Sequence, residues 1–253
     1  MKDTLLDRSR RPFLTAQWRY LALLNFEIDP SVLLPLVPPG TELDDWQGRT
    51  FVSLVGFLFL NTRVLGLAVP FHRNFEEVNL RFYVRRFAPD GCRRGVVFVR
   101  ELVPRAAVAF AARAFYGEKY LAVPMSHDIQ FANGSSQLTN VAYNWVFNDR
   151  ANDIQMRVHG APQPVEVGSH AQFITEHYWG YSRTKTGETL EYRVEHAPWR
   201  VWSAADARCR CEAEQLYGSA FVDCLRSTPY SALVADGSDV TVFKGAPLPV
   251  VKG

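Results

Sequence analysis

The stretch EVNLRFYVRRF, residues 77–87, alternates apolar and polar side chains with the two-residue period of a β-strand. Polar strand faces in antiparallel sheets commonly meet solvent, and this is our expectation for the polar face here. If the sheet closes into a barrel, the same polar row points into the lumen, and this alternative stays open. The apolar face consists of Val78, Leu80, Phe82 and Val84, and the polar face of Glu77, Asn79, Arg81, Tyr83 and Arg85.

The segments around this strand predict further strands. The turn residues Pro89-Asp90-Gly91 predict a hairpin whose second strand covers residues 95–103. Residues 18–28 and 50–60 predict two earlier strands, and the second is so continuously apolar that we expect it to be buried on both faces. Between these two strands, Asp29 and Pro30 are typical of a helix N-cap followed by a first helical turn.

The rest of the chain predicts a mainly β (α+β) fold, antiparallel, with a few helices. Alanine-rich residues 104–117 predict a helix from Pro104 to Gly117, and residues 168–178 a short helix with Ser169 as its N-cap. Strands are predicted within residues 125–158 and 181–202, and a last helix at residues 213–225. Pro229 and Gly237 are expected to bracket a final pair of strands that ends at residues 240–243.

Composition restricts the class of protein. The 253 residues are 47% hydrophobic and 21% charged, which is typical of one globular domain, with residues 1–12 as a loose tail. A net charge of +2 gives no reason to expect nucleic acid as a partner. The longest apolar run, residues 51–60, is about half of a membrane span, and the N-terminal sequence has no apolar core of a secretion signal. We therefore expect no membrane association and a cytoplasmic protein with reduced cysteines.

Common catalytic motifs are missing. The sequence contains no glycine-rich phosphate loop, G-x-S-x-G, H-E-x-x-H or C-x-x-C, and its six histidines have no metal-ligand spacing. We therefore expect neither a metal nor a cofactor. The run Thr175 to Gly180 combines Glu176 and His177 with Tyr178 and Trp179. These titratable groups could line a pocket, although a helix end packed by its two aromatic residues explains the run equally well.

Lys119 is a candidate nucleophile. It lies among Tyr116, Tyr120 and Leu121, and a lysine desolvated by apolar neighbours has a lowered pKa and can form imines with carbonyl compounds. The alternative is a surface lysine whose methylene groups cover the two tyrosines.

A series of segments adds a resemblance that spacing alone cannot supply. Trp18 to Leu43, GRTFVSLVGF (residues 48–57), FEEVNLRFYV (75–84), YGEKYLAVPM (116–125), FITEHYWGYSR (173–183), EYRVEHAPW (191–199) and ADGS (235–238) resemble, in this order, the YqjF-like family, also called domain of unknown function 2071. That family is part of the acetoacetate decarboxylase-like superfamily. The resemblance implies an antiparallel acetoacetate decarboxylase-like β-barrel with a few flanking helices and an interior pocket.

The resemblance also implies roles for individual residues. Arg19 takes the position of an arginine that can hold a carboxylate, Glu77 that of a glutamate that can orient groups or move protons, and Lys119 that of the imine-forming lysine. The family of decarboxylases has a second lysine where this chain has Tyr120, so burial alone would have to lower the pKa of Lys119. The remaining residues expected to bind substrate are Asn79, Arg81, Tyr116, Tyr120, Glu176 and His177.

Three functions are compatible with these residues. The first is a lyase-type enzyme that forms a Schiff base between Lys119 and a small keto acid or carbonyl compound. The second is a barrel that binds a small molecule without catalysis. The third is an acid–base enzyme that uses the polar row of residues 77–81 together with Glu176 and His177. In each case the expected partner is a small-molecule ligand or substrate, and because barrels of this superfamily often associate, a homo-oligomer is also considered.

Overall fold

A computed structural model describes residues 12–68, 72–104 and 119–248. The strands, in chain order, are β1 (Pro12–Glu27), β2 (Glu42–Leu43), β3 (Phe51–Val64), β4 (Leu67–Ala68), β5 (Phe75–Ala88), β6 (Gly91–Val103), β7 (Tyr120–Ala122), β8 (Met125–Phe131), β9 (Leu138–Phe147), β10 (Arg150–Arg157), β11 (Gln163–Pro164), β12 (Trp179–Arg183), β13 (Thr189–His196), β14 (Arg200–Ser203), β15 (Asp206–Arg210), β16 (Ser231–Phe243) and β17 (Ala246–Pro247). The helices are α1 (Pro30–Leu33), α2 (His170–Thr175), α3 (Ala213–Tyr217) and α4 (Val222–Arg226), with 3-10 turns at Leu34–Leu36 and Ser219–Phe221.

Seven strands form a closed barrel. Their order is β16-β1-β3-β5-β6-β12-β13, and the pairing of β13 with β16 closes the ring through residues 194–196 and 240–242. Neighbouring strands are antiparallel except β6 and β12, which pair in parallel. The predicted β-barrel with few helices is therefore confirmed, and it is mostly rather than wholly antiparallel.

A second sheet covers the outside of the barrel. Its four strands run in the order β15-β10-β9-β8. Tyr143 and Trp145 of β9 are fully buried together with Leu54 of β3 and Leu80 of β5. The ring of Tyr143 lies directly over Gly56 of β3, where a Cβ atom would come within 2.6 Å of it. This second sheet explains why β3 is apolar on both faces: one face meets the lumen and the other meets β9.

The two faces of β5 separate the two cores. Its apolar residues, including Leu80, pack outward against the second sheet. Glu77, Asn79 and Arg81 are only 2%, 1% and 8% exposed, and they face the lumen. The expectation that this polar row meets solvent was wrong, and the barrel alternative is confirmed. The physical reason is that the second sheet, rather than solvent, covers the outer face of β5, so both faces are buried.

Local capping signals agree with the structure. Asp29 accepts a hydrogen bond from the backbone N–H of Ser31 at 2.8 Å and caps α1, and Ser169 accepts one from Gln172 N at 3.2 Å and caps α2. Helix α2 places Phe173 and Ile174 in the core of the lumen and so plugs one end of the barrel. Both predicted N-caps are therefore confirmed, and the one at Ser169 begins the helix that carries Phe173 and Ile174 into the core.

Two predicted elements differ in detail. The helix expected at residues 213–225 is broken at Gly218, whose φ of +101° is not helical, into α3 and α4. The pair of strands that Pro229 and Gly237 were expected to bracket is instead the single strand β16, which contains Gly237. At Gly237 a Cβ atom would lie 1.9 Å from the carbonyl oxygen of Trp18. The helix predicted at residues 104–117 lies, apart from Pro104, outside the described residues. Within the described ranges, no helix has both the length and the apolar character needed to cross a bilayer.

Candidate functional site

The barrel lumen contains a cavity of about 230 Å³. This volume is somewhat below the roughly 300–1,000 Å³ of sites that hold drug-sized ligands, so it suits a small metabolite. Strands β1, β3, β5, β6 and β13 and the segment after α2 all contribute to its wall. The wall is mostly apolar and aromatic. The polar side chains in it include those of Glu77, Asn79, Arg81, Glu101, Tyr120 and His177.

Glu77 connects two of these polar side chains. Its carboxylate accepts a hydrogen bond from Asn79 Nδ2 at 2.9 Å and one from the Tyr120 hydroxyl at 3.3 Å. Burial raises the pKa of Glu77 to about 7, although these two hydrogen bonds and the charge of Arg81 act in the opposite direction. At neutral pH the carboxyl group is therefore present in both its acid and its base form, which suits a group that transfers protons.

Arg81 and Asn79 continue the polar row along β5. Arg81 donates from Nη2 to the carbonyl oxygen of Ile174 at 3.2 Å, which ties β5 to the helix that plugs the barrel. Arg81 Nε and Asn79 Oδ1 are buried and have no hydrogen-bond partner within the part of the chain that the structure describes. Leaving such groups unpaired is costly, so a ligand that pairs with them gains binding energy.

His177 faces the same cavity from the segment after α2. Its ring lies 4.6 Å from that of Tyr83 and 5.8 Å from that of Phe173. Burial, followed by the charges of Arg81 and Arg94, holds the pKa of His177 well below its usual value, although the backbone of Ile174 acts in the opposite direction. The imidazole is therefore neutral at pH 7, with one nitrogen that can donate and one that can accept. Among the described residues, neither nitrogen makes a hydrogen bond of good geometry.

The three residues that were expected to converge are not brought together. Glu77 lines the cavity, whereas Arg19 and Lys119 do not belong to its lining. Arg19 donates from Nη1 to the carbonyl oxygen of Gly237 at 3.2 Å, and its neighbour Trp18 faces the cavity instead. Successive side chains of a strand point to opposite faces, so Arg19 lies on the outside.

Lys119 is exposed and directly precedes β7, of which Tyr120 reaches the cavity. The backbone carbonyl of Lys119 accepts a hydrogen bond from Glu101 N at 3.3 Å. This contact fixes the backbone of Lys119 beside the barrel, but its amine is not among the groups in the lumen. The catalytic roles assigned to Arg19 and Lys119 stay predictions.

The other predicted binding residues divide as follows. Asn79, Arg81, Tyr120 and His177 line the cavity. Glu176 does not line it and instead accepts a hydrogen bond from Gln172 Nε2 at 3.0 Å. The expected pairing of Glu176 and His177 in one pocket therefore does not occur, because consecutive residues at the end of α2 point in different directions. Tyr116 lies outside the described residues.

Several lining residues were missed by the sequence reasoning. Glu101 of β6 lies opposite Asn79 of β5 in the strand register, and its carboxylate is buried. The hairpin prediction, carried through to its register, could have placed Glu101 on the polar face. Trp18 and His196 could not have been placed without knowing how the ring of strands closes. No cluster of three or more His, Cys, Asp or Glu residues in the described ranges is arranged to hold a metal ion.

The fold, a closed ring of seven strands around a cavity, is that of an acetoacetate decarboxylase-like barrel. The structure of acetoacetate decarboxylase from Legionella pneumophila is similar, with a TM-score of 0.65 over 96% of this chain and 90% of that chain at 11% identity. The enduracididine biosynthesis enzyme MppR in complex with pyruvate has a TM-score of 0.67 over 97% of this chain and 93% of that chain, also at 11% identity. At such low identity, these similarities show the fold alone.

Sequence similarity then gives the family. The profile of DUF2071, described as an uncharacterized conserved protein, matches residues 15–239, so this chain belongs to the DUF2071 family. The uncharacterized protein YqjF of Bacillus subtilis (strain 168) is 28% identical over 193 residues, which is 74% of this chain and 74% of that protein. The resemblance inferred from the sequence segments is thereby confirmed.

Proposed function

We propose that this protein is an acid–base enzyme that binds a small keto acid inside the barrel and uses Glu77 to move a proton next to its carbonyl group. The observation that carries this proposal is the row of Glu77, Asn79 and Arg81, which is buried along one strand and faces the cavity in the barrel lumen. Such a row combines a proton-transfer group, a neutral hydrogen-bonding group and a fixed positive charge.

The reaction follows from the charges of these groups. The Glu77 carboxylate accepts a proton from the carbon adjacent to the ketone, and the C–H bonding electrons form the carbon–carbon double bond of an enolate. The electrons of the carbonyl π bond move to the oxygen, where the guanidinium of Arg81 stabilises the negative charge. The protonated Glu77 then returns a proton to carbon, so the cycle needs no further reagent.

The electrostatic environment supports this division of roles. Because the pKa of Glu77 is raised to about 7, the carboxylate is a stronger base than an exposed glutamate and is still ionised in part at neutral pH. Arg81 and the neutral His177 provide donors for the oxygen atoms of a keto acid, and the rest of the cavity wall is mostly apolar. That MppR binds pyruvate makes pyruvate a suitable first probe for this chain.

The test is hydrogen–deuterium exchange at the carbon next to the ketone. Pyruvate, 2-oxobutanoate and acetoacetate are incubated with the protein in D₂O, and the loss of the C–H signal is followed by proton NMR. We expect exchange in the wild type, and we expect the exchange rate to fall by about 100-fold or more in Glu77→Gln, in line with the usual contribution of a general base. Glu166→Gln, which changes an exposed carboxylate far along the chain, serves as the matched control. Exchange that persists in Glu77→Gln would contradict the proposal.

Schiff-base chemistry on a keto acid is the second candidate, and it is favoured by the position of Lys119 next to Tyr120, whose side chain reaches the cavity. In this reaction the amine of Lys119 would have to turn into the lumen. Sodium borohydride added together with each keto acid distinguishes the two mechanisms, because it reduces an imine to a stable adduct on lysine. An adduct that disappears in Lys119→Ala would support the imine, whereas its absence together with exchange that depends on Glu77 would support acid–base chemistry. A ligand-induced rise in melting temperature without exchange or adduct would indicate a binding protein.

A further inference from the structure

The cavity has two chemically different ends, and β5 runs past both. The residues of β5 that face the lumen are, in order, Phe75, Glu77, Asn79 and Arg81. A strand rises about 3.3 Å per residue, so Phe75 and Arg81 are about 20 Å apart along the strand. The charged side chains of Arg81 and Glu101 lie toward the Arg81 end, and Glu77 lies between this end and the aromatic end. The Phe75 end combines its aromatic rings with the polar side chains of Thr62, His72 and His196.

The aromatic end is a continuous wall. Phe75 stacks on Phe59 with their ring centroids 4.7 Å apart and an interplanar angle of 14°. Trp18 contacts Phe57 and Phe59 edge-on at 5.4 and 5.8 Å, and Trp199 lies 6.3 Å from Trp18. All five side chains line the cavity, so this end presents aromatic faces and edges to whatever is bound there.

Glu77 and this wall are in direct register. In the pairing of β3 with β5, Phe57 is opposite Glu77 and Phe59 is opposite Phe75. Consider a keto acid whose reacting carbon is beside Glu77 and whose oxygens face Arg81. The group attached to that carbon on the side away from the ketone then extends toward Phe57, Phe59 and Phe75. A methyl group would leave most of this wall uncovered, whereas an aryl ring could stack on it or meet it edge-on.

From this arrangement we propose that the substrate is an aryl-substituted keto acid, with the acid and ketone at the Arg81 end and the aromatic ring against Phe57, Phe59 and Phe75. This inference rests on the proposed function, because the function fixes which end of the substrate faces Glu77. It adds the substrate class and assigns Phe59 and Phe75 as residues that determine specificity. The net effect is selection of the substrate by the size and aromaticity of its substituent.

The experiment compares phenylpyruvate with pyruvate by isothermal titration calorimetry. The two probes share the keto acid and differ in one phenyl ring. Burial of that ring is expected to make phenylpyruvate bind about 10- to 100-fold more tightly than pyruvate. In Phe59→Leu and in Phe75→Leu, which keep the wall apolar but remove the aromatic ring, we expect the ratio of the two affinities to fall several-fold. Two variants are used so that the failure of one to fold does not prevent the test.

Phe87→Leu is the matched control, since Phe87 is also a phenylalanine of β5 but is exposed at the end of the strand. Its affinity ratio should equal that of the wild type. If phenylpyruvate binds no more tightly than pyruvate, or if both wall variants retain the full ratio, the assignment of an aryl substrate is overturned while the keto acid function stands. If neither compound binds and neither undergoes exchange, the proposed function itself fails.

Discussion

Replacement of Glu77 by glutamine should make the protein more stable at high pH but not at low pH. The carboxyl group of Glu77 is buried, and its pKa rises from an ordinary value of 4.5 to about 7. Glutamine has nearly the same shape: its oxygen can accept the hydrogen bond from Asn79, and its NH2 group can donate one to the hydroxyl oxygen of Tyr120. The substitution therefore removes the titration of Glu77 while leaving its contacts largely in place.

The sign follows from proton linkage. Below pH 4.5 the carboxyl group is protonated in both the folded and the unfolded chain, so ionisation has no effect on the free energy of unfolding. Between pH 4.5 and about 7 the unfolded chain loses the proton while the folded protein keeps it, so the wild type loses about 1.4 kcal/mol of stability per pH unit. Above that range the loss is constant at about 3 kcal/mol.

Urea unfolding, followed by tryptophan fluorescence at pH 4.5, 6 and 8, measures this effect. We expect the free energy of unfolding of Glu77→Gln to match that of the wild type at pH 4.5 and to exceed it by about 3 kcal/mol at pH 8. Glu166→Gln is the control, because its carboxylate is exposed and should give no such difference. A difference between Glu77→Gln and the wild type that is the same at all three pH values would refute the reasoning, since it would show that Glu77 ionises normally in the folded protein.

Two further predictions concern the contact between the barrel and the second sheet. Gly56→Ala should lower the free energy of unfolding by about 1–3 kcal/mol, because the new methyl group would lie 2.6 Å from the ring of Tyr143. Chemical denaturation measures this loss, and an unchanged midpoint would show that β9 can move away from β3 without cost. Tyr143→Phe should lower the free energy of unfolding by about 1 kcal/mol, because the buried Tyr143 hydroxyl donates to the carbonyl oxygen of Tyr20 at 2.8 Å. The control Tyr230→Phe, at a partly exposed tyrosine, should lower it less in the same assay, and equal losses would contradict this explanation.

Much of the barrel could be predicted because its signals are local. The alternation in residues 77–87 and the turn at Pro89-Asp90-Gly91 predict the β5–β6 hairpin, which the structure contains. The caps at Asp29 and Ser169 act over two or three residues, and both are present. Such features depend on neighbouring residues, so the sequence alone carries the information needed to infer them.

The direction of the polar row could not be predicted in this way. A strand that is polar on one face can have that face in solvent or in a closed lumen, and its own sequence is the same in both cases. The choice depends on β13 pairing with β16, two strands separated by more than thirty residues of chain, and on the second sheet that covers the outer face of β5. Both are long-range contacts, so they leave no local signal in residues 77–87.

The position of Arg19 depends on an irregularity in strand β1 that the sequence does not predict. Tyr20 has a φ of +55°, and the register between β1 and β3 shifts between Arg19 and Ala22. This bulge places both Trp18 and Leu21 in the cavity wall, although they are three residues apart and regular alternation would put them on opposite faces. The motif match assigns Arg19 to the substrate, whereas the structure leaves Arg19 out of the cavity lining, and its role stays a prediction. Among the described residues that line the lumen, the guanidinium of Arg81 belongs to the same strand as Glu77. In the proposed reaction, one strand would therefore carry both the base and the group that stabilises the charge it generates.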